Sequence, residues 1–321
     1  MCFYFKYNYN ENKITNEDYF DSNYNMDQIQ KTSIEIKFPV PWGHIAAKVY
    51  GPLKEKKILM VHGILDNAGS FDRLVQLLPQ EYQYVSIDLP GHGLSSPLSY
   101  GTPLHFFDYV YSILLVLNAL KWKTCIYIGH SFGAHIGTYF SILYPGRFEK
   151  IIAIDGFISI PIENVVFHIQ DKYNLDAYAK DSGTLYTKDE IIYALKFKRQ
   201  ETLKLDAAEA VFKRAVTKVN NLYKYNRDTR LRFMIKPSFT KEQQKKFFIK
   251  YATKTLVIVA DNSSQVDFLL ELLNTIRNIC EKNKISVITV NGNHDVHNNY
   301  PERIAFHICK FLNTNDLQSK L

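Results

Sequence analysis

The sequence holds only four cysteines in 321 residues, Cys2, Cys125, Cys280 and Cys309, and none of them form a Cys-x-x-Cys pair. With no paired or metal-spaced thiols, a disulfide scaffold or a cysteine-bound metal centre is not expected, and the usage is that of a reduced intracellular protein. Long apolar runs are also missing. Segments such as Ile113–Leu117 and Leu256–Ala260 fall far short of the ~20 residues that cross a bilayer. Met1–Asn8 lacks the apolar stretch and small-residue cleavage site of a secretory signal. Glu11, Glu17 and Asp18, with no arginine near them, argue against a mitochondrial presequence. There is no internal repeat.

What is present is ordinary globular composition, 46% hydrophobic and 22% charged, in a length that suits one large α/β domain or two average ones. The net charge of +7 is too diffuse to point to nucleic acid by itself. One stretch stands apart: Lys196–Lys250 carries sixteen Lys and Arg against five Asp and Glu, so the rest of the chain is slightly acidic. This stretch reads either as a solvated helical face kept soluble by lysines or as a basic surface that attracts an anionic substrate such as an acyl-CoA thioester. Residues 1–30, rich in Asn, Tyr and acidic side chains without periodicity, are expected to be a disordered leader. Residues 314–321 read as a tail ending in Ser319-Lys320-Leu321, an address for the peroxisomal import receptor. The expected location is thus the peroxisome, or otherwise the cytoplasm.

Between these ends, Ser33–Phe38 and His44–Tyr50 alternate as strands around Pro39-Val40-Pro41-Trp42-Gly43, which predicts a hairpin turn. From residue 57 short apolar strands alternate with helices. Strands are predicted at Lys57–Val61, Tyr82–Ile87, Thr124–Ile128, Lys150–Ile154, Thr255–Val259 and Ile285–Val290. Helices are predicted at Ser70–Leu78, His105–Leu120, Phe132–Leu143, Ser264–Glu281 and Pro301–Phe311. This rhythm predicts a mostly parallel, eight-stranded sheet covered by helices on both faces. Between Asp155 and Lys254 the pattern turns helical, with capping boxes at Thr187/Glu190, Asp206/Glu209 and Thr240/Gln243. The expected organisation is an α/β core of residues 31–156 and 251–313, with residues 157–250 inserted as a helical cap over the sheet edge where ligands bind.

Strand residues Ile126-Tyr127-Ile128 run into Gly129-His130-Ser131-Phe132-Gly133, which opens a helix. A serine in that strand-to-helix turn is a nucleophile elbow: small flanking residues admit the tight backbone, and the helix N-terminus behind it favours developing negative charge. Such a nucleophile needs two backbone N–H groups for the oxyanion. Phe132 supplies one, and Ile64, in His62-Gly63-Ile64 after the preceding strand, the other. His294, in Asn291-Gly292-Asn293-His294-Asp295-Val296-His297 after the last strand, stands where the general base belongs, with His297 as its rival. His62 and His92 are expected to be structural, and His307 to lie inside a helix.

These segments, together with Val40–Ala46, His62–Asp72, Asp88-Leu89-Pro90-Gly91-His92-Gly93 and Gly292–His297, resemble the α/β-hydrolase superfamily over about residues 33–313. Within it they are most similar to the serine-hydrolase-like proteins of animals. The resemblance implies a Ser-His-Asp triad and leaves the acid open. The usual place is the loop holding Asp261, but many members carry an aspartate where this chain has Ser263. Other members place the acid at the end of the preceding strand, here Asp155, which is the first choice, with Asp261 the alternative. The implied chemistry is hydrolysis of a carboxylic ester or thioester through an acyl-enzyme, without metal or organic cofactor. The competing expectation is a catalytically weak or inactive relative that binds an apolar ligand under its cap.

Overall fold

The computed structural model describes residues 31–101, 103–173, 183–199, 201–280 and 284–314. The predicted leader (1–30) and the Ser319-Lys320-Leu321 tail lie outside them. Eight strands form one sheet in the order β1-β2-β4-β3-β5-β6-β9-β10. They are β1 (Ser33–Val40), β2 (Gly43–Tyr50), β3 (Lys57–Val61), β4 (Gln83–Ile87), β5 (Cys125–His130), β6 (Phe148–Ile154), β9 (Lys254–Ala260) and β10 (Ile285–Val290). β2 runs antiparallel to β1 and β4, and the remaining pairs are parallel.

Continuous apolar strands are what such a sheet requires, because alternate side chains must be buried on opposite faces. Leu59, Val61, Ile151 and Ala153 enter a core shared with α2 (Phe106–Ala119), α3 (Phe132–Leu143) and α8 (Val266–Arg277). Their neighbours Ile58, Met60, Ile152 and Ile154 enter a second core on the other face, with α1 (Asp72–Gln76) and α10 (Glu302–Leu312).

The interval between β6 and β9 holds α4 (Val165–Lys172), α5 (Lys188–Phe197), α6 (Leu205–Ala215) and α7 (Lys241–Phe248). The Thr187 and Thr240 capping boxes form as predicted. The one at Asp206 does not: α6 starts two residues earlier, with Lys204 at its N-cap, so Asp206 lies in its first turn and pairs with Arg73 at 2.6 Å. The interval is also not wholly helical. A hairpin of β7 (Val216–Val219) and β8 (Leu222–Tyr225) follows α6 directly, turning at Asn220 with φ +55°. Two other expectations shift locally. The helix predicted at Ser70–Leu78 is a 3-10 turn over Ala68–Phe71 followed by the short α1. The first hairpin turns on Pro41 and Trp42 alone, because β1 continues through Pro39 and Val40, where an edge strand tolerates proline. Among the described residues no helix is long and apolar enough to cross a membrane.

Candidate active site

Sheet order brings the chemistry-bearing loops together. Val61 of β3 pairs with Gly129 of β5, and His130 pairs with Ile154 of β6. The residues that follow these strand ends therefore emerge side by side at the C-terminal edge: Ile64, Ser131 and Asp155. His294 arrives from the loop after β10.

Ser131 sits at the tip of the β5–α3 turn with φ +50° and ψ −114°, a conformation L residues seldom adopt. Close approach holds it there. A Cβ on Gly133 would lie 2.1 Å from the Val61 carbonyl oxygen, and one on Gly129 would lie 2.6 Å from the Gly133 backbone. The expected outcome of Gly133→Ala is a loss of about 1–3 kcal/mol from overpacking, measured by urea unfolding, with a misplaced Ser131.

The Ser131 hydroxyl donates to His294 Nε2 at 2.8 Å, and His294 Nδ1–H donates to Asp155 Oδ2 at 2.5 Å. Asp155 is buried, and its Oδ1 accepts the Ala260 amide at 2.9 Å. Burial alone would depress the His294 pKa. The hydrogen bond and charge of Asp155, helped by Asp295 and Glu201, more than offset it and hold the imidazole above its ordinary value. Asp261 is exposed and turned to other donors: Gly292 N at 3.0 Å, Asn291 Nδ2 at 3.2 Å and Asn262 Nδ2 at 2.7 Å. Ser263 is buried and accepts from the Gln265 amide at 3.4 Å.

Phe132 opens α3, where a first-turn N–H has no helical acceptor. In the loop after β3, the Leu65 amide donates to His92 Nε2 at 3.2 Å and the Asp66 amide to Gly63 O at 3.2 Å. The Ile64 amide has no such partner among the described residues. Both Ile64 and Phe132 line the cavity that contains Ser131 and His294, about 760 Å³ in volume.

The other histidines have different work. His62 is fully buried, with Nδ1 2.7 Å from Gly63 O and Nε2 accepting the Leu89 amide at 3.0 Å. Burial lowers its pKa to about 4. His92 spans Pro90 O and Leu65 N, and burial together with nearby His62 lowers it to about 3. His297 is buried and stacked on His130 at 3.9 Å rather than directed at Ser131, and His307 lies on α10. Asp66, His130 and His297 bring three potential metal-ligand atoms within 4.8 Å of one another. The near-parallel rings of the two histidines, 29° apart, do not converge on one ion.

Sequence reasoning missed the residues that fix the His294 loop. His130 Nε2–H donates to the His294 carbonyl at 2.8 Å, the Glu201 carboxylate accepts the His294 amide, and Asn293 Nδ2 donates to Thr202 O at 2.8 Å. Arg199 lies 3.1 Å from Asp295 and 3.6 Å from Asp66, joining the His294 loop to the loop after β3. Asp66 and Asp295, each just beyond a motif residue, were the available signal that a cation had to lie between them.

A model of the alpha/beta hydrolase fold family matches residues 56–298. Serine hydrolase-like protein 2 of Homo sapiens is 34% identical over 297 residues, covering 87% of this chain and 93% of that protein. Serine hydrolase-like protein of Mus musculus is 32% identical over 87% of this chain and 95% of its own length. Among solved structures, a hypothetical protein of Pseudomonas aeruginosa PAO1 superposes with a TM-score of 0.75 at 22% identity, over 87% of this chain and 97% of that one.

Proposed function

Because the chain belongs to the alpha/beta hydrolase fold family, we propose that it is a serine hydrolase of carboxylic esters or thioesters, with Ser131 as nucleophile, His294 as base and Asp155 as acid. The observation that carries this reading is the single file of hydrogen bonds from Ser131 Oγ through His294 to Asp155, at 2.8 and 2.5 Å, with Ser131 and His294 lining a cavity. Residues 157–250 serve as its cap.

In the first step His294 Nε2 takes the Ser131 proton as Oγ bonds to the acyl carbon, and the Phe132 and Ile64 amides hold the oxyanion. The bond from that carbon to the leaving oxygen or sulfur then breaks, and His294 returns the proton to the departing alcohol or thiol. Water attacks the acyl-enzyme, giving its proton to His294, and the acid leaves as Ser131 is restored. Asp155 holds the ring in the required tautomer and stabilises the imidazolium. The buried Asp155 carboxylate, 2.5 Å from His294 Nδ1, supports this reading over that of an inactive relative binding an apolar ligand.

A fluorophosphonate probe tests the assignment. Wild-type protein is expected to label covalently, and Ser131→Ala and His294→Ala are not. Labelling should decline as pH falls through the His294 pKa, since imidazolium cannot take the proton. That acid limb should lie above the ordinary imidazole value of about 6.5, because the pKa is raised. Folded wild-type protein that does not label, or Ser131→Ala protein that does, refutes the reading.

A further inference from the structure

Part of the positive charge of Lys196–Lys250 is spread over outer surfaces, but part of it converges. Lys198, Arg227, Arg232 and Lys236 line the cavity that contains Ser131. The carboxylates of that cavity, Glu201 and Asp295, are already engaged: Glu201 with the His294 and Ser264 amides, Asp295 with Arg199. Among the described residues, no carboxylate forms an ion pair with Lys198, Arg227, Arg232 or Lys236. Arg227 lies 4.6 Å from the Tyr225 ring centre and Lys198 5.9 Å from that of Tyr193, contacts that steady a cation without neutralising it.

Two of these cations are disfavoured by their surroundings. Burial, and after it neighbouring Lys172, hold Lys236 below an ordinary lysine. Burial outweighs the pull of Tyr225 and, with Arg232 and Arg199 nearby, lowers Arg227. Arg227 and Lys236 are exposed residues lining the cavity, although protein surrounds much of each side chain. Gathering like charges in a partly desolvated space costs free energy that an arriving anion returns. The remaining wall, including Ile64, Phe106, Phe132, Ile160 and Met234, is apolar and suits an acyl chain.

We propose that the substrate is an anionic acyl compound, whose acyl chain lies on the apolar wall and whose phosphate or carboxylate group is held by Lys198, Arg227, Arg232 and Lys236. This deepens the hydrolase reading and rests on it. The recognised chemistry is an oxyanion, and two matched pairs of probes separate its sources. Butyryl-4′-phosphopantetheine and butyryl-pantetheine share a thioester and differ in one phosphate. Mono-4-nitrophenyl glutarate and 4-nitrophenyl pentanoate share an activated ester and differ in a carboxylate.

For at least one pair, wild-type kcat/KM should favour the charged member at least tenfold. Arg227→Gln/Lys236→Gln should lower that ratio at least tenfold, chiefly through KM, whereas Lys54→Gln, which removes a charge outside the cavity, should leave the ratio as it was. Equal kcat/KM within both pairs, with neutral substrates turned over and Ser131 labelled, overturns the anionic substrate and leaves the hydrolase intact. An equal fall of the ratio in Lys54→Gln also overturns it, because net charge would then explain the preference. Calorimetry of butyryl-4′-phosphopantetheine and mono-4-nitrophenyl glutarate binding to Ser131→Ala protein reads the anion site without turnover. If no substrate is hydrolysed and nothing labels, the hydrolase reading falls. The anion site then stands on binding that the double substitution weakens at least tenfold, and falls without it.

Discussion

Asp155→Asn is expected to lower kcat for ester hydrolysis by about 10⁴-fold, and Asp261→Asn by no more than about twofold. The reason lies in which oxygen does what. Asp155 Oδ1 is occupied by the Ala260 amide at 2.9 Å, so an asparagine keeps its carbonyl oxygen there and turns its NH₂ toward His294 Nδ1. That nitrogen must then accept, the ring proton moves to Nε2, and Nε2 can no longer take the proton of Ser131. Asp261 works on the surface, tying Gly292 and Asn291, and its loss leaves the tautomer alone. The measurement is kcat on 4-nitrophenyl butyrate for both variants, with unfolding curves showing that each is folded. An equal loss in Asp261→Asn, or an unimpaired Asp155→Asn, overturns the choice of acid.

That choice shows where the sequence stops being legible. The strands of the sheet could be read to within a residue or two, because a strand buried on both faces leaves an unbroken apolar run, as Ile151–Ile154 and Leu256–Ala260 do. Ser131 and His294 could be picked out because an elbow needs particular small residues around it and the last strand has one loop. The acid stays open in the sequence between Asp155, the first choice, and Asp261, since both follow parallel strands that are neighbours in the sheet. Which of them meets the ring depends on the direction of the His294 loop, and that is set by Arg199, Glu201 and Thr202 from a distant segment. The β7–β8 hairpin escaped for another reason: its strands are four residues each and half polar, so the lysines hid the alternation around Asn220.

The basic segment also carries a stability prediction. Arg214→Ala should cost about 3–5 kcal/mol, the usual penalty for orphaning a buried charge. Arg214 lies on α6 with its side chain 4% exposed, and it grips Asp88 through Nη2 at 2.6 Å and Nε at 3.2 Å. Asp88, with no exposure, also accepts the Ala68 amide at 2.8 Å and the Leu94 amide at 2.8 Å. One carboxylate thus joins the end of β4, the turn ahead of α1, the Asp88–Gly93 loop and α6. Without the guanidinium, two amide donors remain and no counter-charge does. The second partner of Arg214 is a contrast. Glu35 on β1 keeps 55% of its side chain exposed, so water already screens it, and Glu35→Gln should cost less than about 1 kcal/mol. Urea unfolding of both variants measures the difference. Equal losses would mean that burial of Asp88 is not what makes the contact strong. Arg214→Met with Asp88→Asn provides the matching control: it removes both charges, so the pair should recover part of what Arg214→Ala loses, even though each change alone is destabilising.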